Sequence, residues 1–486
     1  MKSRKSEGRR PGSSTGTRSS LWGPDGPLAR GEQLWLGALL VVAAGVRLLW
    51  VLYATHEPIP LISGDAYSYY YYGQELAAGH DLVGYVGGMP TAYYPIGYPA
   101  VLGGLFWLVR STPVPDNLPL AGSLLNVALG TLSVGLVFVI ARRGFDTRVG
   151  LVAAAITAAF PSLVIYSATF QVETTFIFLA LGLVAVVVTH DWSTGAPTRA
   201  RLVTIGALLG VSASVRPFSM LFLVGLVVAL LVAGCGWRRI VMALGWVALP
   251  LVLVLAPWTI RNLVVMDAPI VFSSNFGDGL CIDRSLDATG QFRWTSHEGC
   301  APPDTPEAER YTENARRGIE FIIEHPEKEV QLIFKRAWYM MEHDHDGLTA
   351  AESGTANPFL GHRLRTILGR TADWFFYATL ALAAAGVLAF FRGHRPERLF
   401  VGIALLSLLA APLSLYGNTR FHVPALPFLA IAAAIPLARP PFQRVREPEI
   451  AAAPEQQRDD GAPARVATYA QRAAASTGRS GRSDAG

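Results

Sequence analysis

Lysine is almost missing from this 486-residue chain: Lys2, Lys5, Lys328 and Lys335 are the full set, so arginine carries the positive charge. Charge of either sign is scarce, at 16% of residues, where soluble domains have about a quarter. Cysteine is confined to Cys235, Cys281 and Cys300, and no metal-ligand spacing is present. The first apolar run, Leu34 to Ala54, is too long and too far from the N-terminus for a signal peptide and reads as an uncleaved membrane helix. What is abundant is apolar surface: 51% of residues are hydrophobic and mean hydropathy is +0.34. Together these features predict a polytopic membrane protein. The net charge of +5 does not point to nucleic acid, because the arginines cluster in short breaks between apolar runs and in the two tails.

Nine further runs read as membrane helices: 118–140, 149–168, 170–189, 202–215, 218–233, 240–260, 374–391, 399–415 and 421–438. The expected organisation is a disordered basic cytoplasmic tail (1–33) and a transmembrane domain (34–262) whose first outer loop (55–117) holds juxtamembrane helices. A long extracytoplasmic region (263–371), the last helices (372–438) and a disordered cytoplasmic tail (439–486) follow. With the N-terminus inside, every arginine-rich turn is cytoplasmic: Arg142, Arg143 and Arg148; Arg199 and Arg201; Arg238 and Arg239; Arg392, Arg395 and Arg398; Arg439 and Arg444. Arg47, inside the first run, either snorkels to an interface or faces other helices.

That topology gathers charges at the outer membrane face. Asp65 follows Gly64 and precedes a tyrosine run; Glu173, Arg216, Arg261 and Arg420 lie at span ends. Charges at membrane depth are costly and should face a cavity or a partner. Carboxylates beside arginines suit transfer of a sugar from a polyprenyl phosphate. A carboxylate takes the proton of an attacking hydroxyl, and arginine stabilises the departing phosphate. Asp65 is the candidate base. Glu173, Arg216, Arg261, Arg420, His422 and Tyr69 are candidate substrate contacts.

The chain resembles the GT-C superfamily, among bacterial relatives of protein O-mannosyltransferases and of the lipid A aminoarabinose transferase. The resemblance rests on Gly64-Asp65-Ala66, YPIGYP at 94–99, YSATFQVE at 166–173, SVRP at 214–217, APWTIRN at 256–262 followed by SSNFGDGL, and TRFHVPALP at 419–427. It implies an all-α GT-C fold, a polyprenyl-phosphate-linked sugar donor, a hydroxyl acceptor in the cell envelope, an outer-face active site and a general-base role for Asp65. It also implies catalysis without a metal or other cofactor. Many members have a second acidic residue beside the first; Ala66 stands there in this chain.

Other readings of the same residues stay open. Asp65 can cap the tyrosine-rich helix, Glu173 can form a structural ion pair, and Arg216 and Arg261 can anchor helix ends. The run Tyr69 to Tyr72 reads as interfacial packing, with Tyr69, Tyr72 and Leu76 on one helix face. Cys281 and Cys300 share the outer side and are expected to pair. Glu342-His343-Asp344-His345-Asp346 has a metal-like composition, but alternating side chains point apart, and a solvated turn after an amphipathic helix 306–341 is the expectation. A flippase or transporter is the competing class. It would call for broken helices at midplane, internal repeats and charges deep in spans; the sequence shows no convincing repeat, and Asp65 lies outside the apolar runs.

Overall fold

The computed structural model describes residues 26–54, 64–84, 88–112, 117–292, 299–352 and 359–438. Most of both expected tails therefore lies outside the described residues, as do 55–63, 85–87 and 113–116 of the expected first outer loop. Among the described residues the structure is helical, with two isolated β-bridges and no strand.

Each predicted apolar run coincides with helix. The first is α1 (Arg30–Ala54). Two short helices, α2 (Asp65–Ala77) and α3 (Gly97–Arg110), lie in the segment expected as the first outer loop. There follow α4 (Leu118–Gly144), α5 (Thr147–Ala159), α6 (Pro161–Ile165), α7 (Glu173–Val188), α8 (Arg199–Val215), α9 (Phe222–Val232) and α10 (Trp237–Met266). The long segment 263–371 carries α11 (Asn275–Cys281), α12 (Glu307–Glu324), α13 (Pro326–Met341) and α14 (Asp346–Glu352). The chain then returns through α15 (His362–Gly386), α16 (Pro396–Ala410) and α17 (Leu426–Ala438). Six helices are long and apolar enough to cross a membrane, or seven if the bent pair Thr147–Ala159 and Pro161–Ala168 forms one span. Glu173–Val188 and Pro217–Val232 are apolar but shorter, so the count of ten does not follow from length alone.

Burial separates the helices by position. From Leu426 through Ala434 every residue of α17 is buried, and Phe376, Phe400 and Phe428 pack in the same core. A helix apolar on every side belongs inside the bundle. By contrast, α10 exposes Leu249, Val252, Leu253, Ile260 and Val264, the surface a bilayer would cover. Close crossings use small residues: a Cβ on Gly206 would meet the Val247 carbonyl oxygen at 2.1 Å, and one on Gly386 the Ala432 carbonyl oxygen at 2.0 Å.

Arg47 faces other helices rather than an interface. It is buried, donating through Nη1 to the carbonyls of Ala43 (3.1 Å) and Ala158 (3.4 Å) and through Nη2 to that of Thr157 (3.4 Å). The reason lies in the 59° bend between α5 and α6. Pro161 has no N–H, so the Thr157 carbonyl loses the donor a continuous helix would give it.

Two polar clamps fix the segment 263–371. Glu307 accepts from the Thr91 hydroxyl (2.7 Å), the Ala92 N–H (2.8 Å) and the Ser274 hydroxyl (2.7 Å), tying α12 to the turn before α3. Arg336, fully buried, donates to Asp283 (3.0 Å), Glu329 (2.7 Å) and the Leu413 carbonyl (3.1 Å). Cys281 and Cys300 form a disulfide, with 5.9 Å between their Cα atoms. The expected single helix 306–341 is two helices, because Pro326 breaks it after His325.

Candidate active site

Asp65 is the first residue of α2, and Gly64 before it has φ 140°, a conformation that only glycine adopts without strain. Packing of α2 on α3 fixes its direction: a Cβ on Gly73 would lie 2.8 Å from Leu102, and one on Gly103 2.8 Å from Leu76. Asp65 is not a cap, since Gly64 holds that position and no side chain caps α2. Its carboxylate faces outward from the helix instead. Oδ1 accepts from the Tyr94 hydroxyl at 2.7 Å and Oδ2 from Arg420 Nη1 at 2.5 Å.

Arg420 spans two carboxylates. Its Nε donates to Glu173 Oε1 at 2.5 Å, and Arg216 Nη2 donates to the same oxygen at 2.5 Å. Asp65, Arg420, Glu173 and Arg216 thus form one row of alternating charge. Glu173 is fully buried, and its Oε2 and Arg216 Nη1 have no hydrogen-bond partner among the described residues. Burial pushes the Asp65 carboxyl up, but the Arg420 charge, the Tyr94 and Arg420 hydrogen bonds and the more distant Arg216 outweigh it, holding it below its ordinary value. Burial and the Asp65 charge push the Tyr94 hydroxyl far up, so it remains a donor.

Other candidate residues lie elsewhere. Arg261 donates to both Asp81 oxygens (2.9 and 2.7 Å) and to the carbonyls of Thr91 (3.0 Å) and Leu82 (2.8 Å), and it lies over the Trp258 ring. It fastens the segment between α2 and α3 to the end of α10. Tyr69 is buried edge-on against Tyr94 and Tyr98, with centroids 4.9 and 5.3 Å away, and so supports Tyr94 from behind. His422 is also fully buried: Nδ1 faces the Met340 carbonyl at 2.5 Å, Nε2 faces Asp344 at 2.8 Å, and the ring stacks on Phe376.

The segment 342–346 is a solvated turn only in part: Glu342 is exposed and His343, His345 and Asp346 are partly exposed, but Asp344 turns inward. Asp344 is buried between His422 and the Ser162 hydroxyl, and burial raises its carboxyl above the ordinary value against those partners. Its neighbours do point away from it, as alternation requires: His343, His345 and Asp346 offer donor atoms that lie within 4.8 Å of one another. Tyr94 and Asp344 are the polar contacts that sequence reasoning missed. Tyr94 stood only within YPIGYP, and nothing local to Asp344 indicates a partner 78 positions away.

Residues 105–260 match the family model described as dolichyl-phosphate-mannose-protein mannosyltransferase. The structure is similar to the Archaeoglobus fulgidus oligosaccharyltransferase in its apo form, with a TM-score of 0.51 and 16% identity over 84% of this chain and 50% of that one. The chain has the GT-C fold. Further GT-C structures align less closely. AglB from the same archaeon, in complex with an inhibitory peptide and a dolichol-phosphate, gives a TM-score of 0.49 at 16% identity, over 84% of this chain and 50% of that one. ArnT from Cupriavidus metallidurans bound to undecaprenyl phosphate gives 0.36 at 14%, over 80% and 77%. This chain spans about half the length of the oligosaccharyltransferases it matches. No curated protein matches it.

Proposed function

We propose that this chain is an integral-membrane glycosyltransferase that moves a sugar from a polyprenyl phosphate to a hydroxyl on a glycolipid, cell-wall glycan or protein. The observation that carries the reading is the sharing of Arg420 between Asp65 and Glu173. At rest that guanidinium holds the Asp65 carboxyl below its ordinary value, which makes it a weak base. A donor phosphate competes for the same guanidinium through charge-assisted bonds. Once Arg420 turns to the phosphate, Asp65 keeps its half-buried position without its counter-charge, and its proton affinity rises when the acceptor arrives. The acceptor O–H gives its proton to Asp65 while its oxygen bonds to the anomeric carbon. The bond from that carbon to the phosphate oxygen breaks with its electron pair, and Arg420 and Arg216 stabilise the phosphate that leaves.

The mannosyltransferase family match, which covers part of the chain, supports the donor class. Placement of the site on the extracytoplasmic face is supported by the arginine-rich turns at the opposite ends of the spans and by the disulfide in the outer region. The test is transfer of radiolabelled sugar from a panel of polyprenyl-phosphate sugars in membranes carrying the wild type or Asp65→Asn. Loss of about a hundredfold or more in rate is expected for the variant. Equal transfer by both would remove Asp65 as the base.

A further inference from the structure

The segment between α13 and α14 presents a group of side chains that the proposed transfer does not use. His343 Nε2 and Asp346 Oδ1 stand 3.0 Å apart, and the rings of His343 and His345 are side by side with centroids 4.1 Å apart. A tetrahedral zinc ion with bonds of about 2.0 Å has ligand atoms about 3.3 Å apart, so the His343–Asp346 spacing already fits one edge. The remaining distances, all within 4.8 Å, close by rotation of partly exposed side chains.

Two supports outside the group have the arrangement a metal centre needs. His345 Nδ1 faces both oxygens of Asp373 at 3.0 and 2.9 Å, which leaves its other ring nitrogen for a ligand bond. Asp373 also accepts from the Asp344 N–H at 2.8 Å, fixing the backbone between the two histidines. A carboxylate behind a histidine in this way orients the ring and raises its basicity. On the other flank, Asp346 Oδ2 accepts from the Thr419 hydroxyl, which orients the carboxylate so that Oδ1 meets His343 Nε2, the edge a cation would bridge. One divalent cation would be ligated by both rings and the carboxylate together.

We infer that His343, His345 and Asp346 form a binding site for a zinc-class divalent cation, with Asp373 and Thr419 as its outer supports and the fourth position open. Thr419 immediately precedes Arg420, so the ion would brace the turn that carries the guanidinium shared by Asp65 and Glu173. Its role is positioning, distinct from the proton and phosphate chemistry, and the site does not depend on the proposed transfer being right.

The experiment is titration of Zn²⁺ into the chelator-treated full chain in detergent micelles, read by calorimetry, with thermal melting measured alongside. One Zn²⁺ per chain is expected for the wild type, with uptake lost in His343→Ala/His345→Ala. Affinity should fall about tenfold to a hundredfold in Asp373→Asn. Zn²⁺ should also raise the wild-type melting temperature where Mg²⁺, a hard cation preferring six oxygen ligands, does not. No uptake by the wild type, equal uptake by the double variant, or a melting temperature unmoved by Zn²⁺ would each overturn the assignment. The melting readout holds even if a variant fails to fold.

Discussion

Arg420 and Asp65 lie 355 positions apart in the chain and meet as an ion pair at 2.5 Å, while the same guanidinium reaches Glu173 through its Nε. One planar cation therefore joins a loop helix at the start of the chain to the buried end of α7 and to the turn before α17. Lysine, a single point charge on a flexible stem, cannot hold both carboxylates in that geometry. Arg420→Lys is expected to lower sugar transfer by about a hundredfold. Retention of wild-type rate in the membrane transfer assay would show that charge alone suffices.

The same pair fixes a pH dependence. Asp65 is held below its ordinary value, so its carboxylate persists as pH falls below the usual carboxylate range. Its ion pairing stabilises the fold above that ordinary value and is lost as pH falls through the lowered one. In Arg420→Gln the principal lowering influence is gone and burial is left to push the carboxyl up. The acid limb of kcat/KM against pH should move to higher pH in this variant, with a lower plateau. An unmoved limb would mean that a different group titrates.

Gly64 offers a test of backbone placement. Its φ of 140° strains any residue with a Cβ, yet nothing lies within 4 Å of where that Cβ would sit. Gly64→Ala should therefore cost about 1–3 kcal/mol through conformation alone and displace Asp65 from Arg420. Transfer should fall sharply, whereas Gly104→Ala, on the exposed side of α3 with ordinary φ and open space, should leave it unchanged. Equal behaviour of the two variants in the transfer assay would count against a special role for Gly64.

The disulfide closes a loop between residues 19 apart. Replacing both cysteines by serine should lower stability by about 3 kcal/mol, seen as a lower melting temperature in detergent, and reductant should lower the wild type in the same way. Cys235, buried and unpaired, should not contribute to that difference.

The helices were legible because apolar runs of membrane length carry their own signal: every run from Leu34 to Ala438 coincides with helix. The gathering of Asp65, Glu173, Arg216 and Arg420 was legible for a related reason, since alternating spans bring charged ends to one face. What was hidden depends on partners across the fold. The purpose of Arg47 lies in a helix break 111 positions onward, and the inward turn of His422 lies in Asp344. Arg261 resembled a phosphate ligand until Asp81 supplied its partner. The break at Pro326 was visible as a proline, but the amphipathic period continues on both sides and masked it.

The row Asp65, Arg420, Glu173 and Arg216 holds two formal negative and two formal positive charges. From beyond a Debye length, about 8 Å at physiological ionic strength, it is a string of dipoles rather than a positive patch. An anionic headgroup would gain little long-range pull from it. Encounter with the proposed donor would then be governed by lateral diffusion of the lipid in the bilayer, and the rate of encounter would be nearly indifferent to salt.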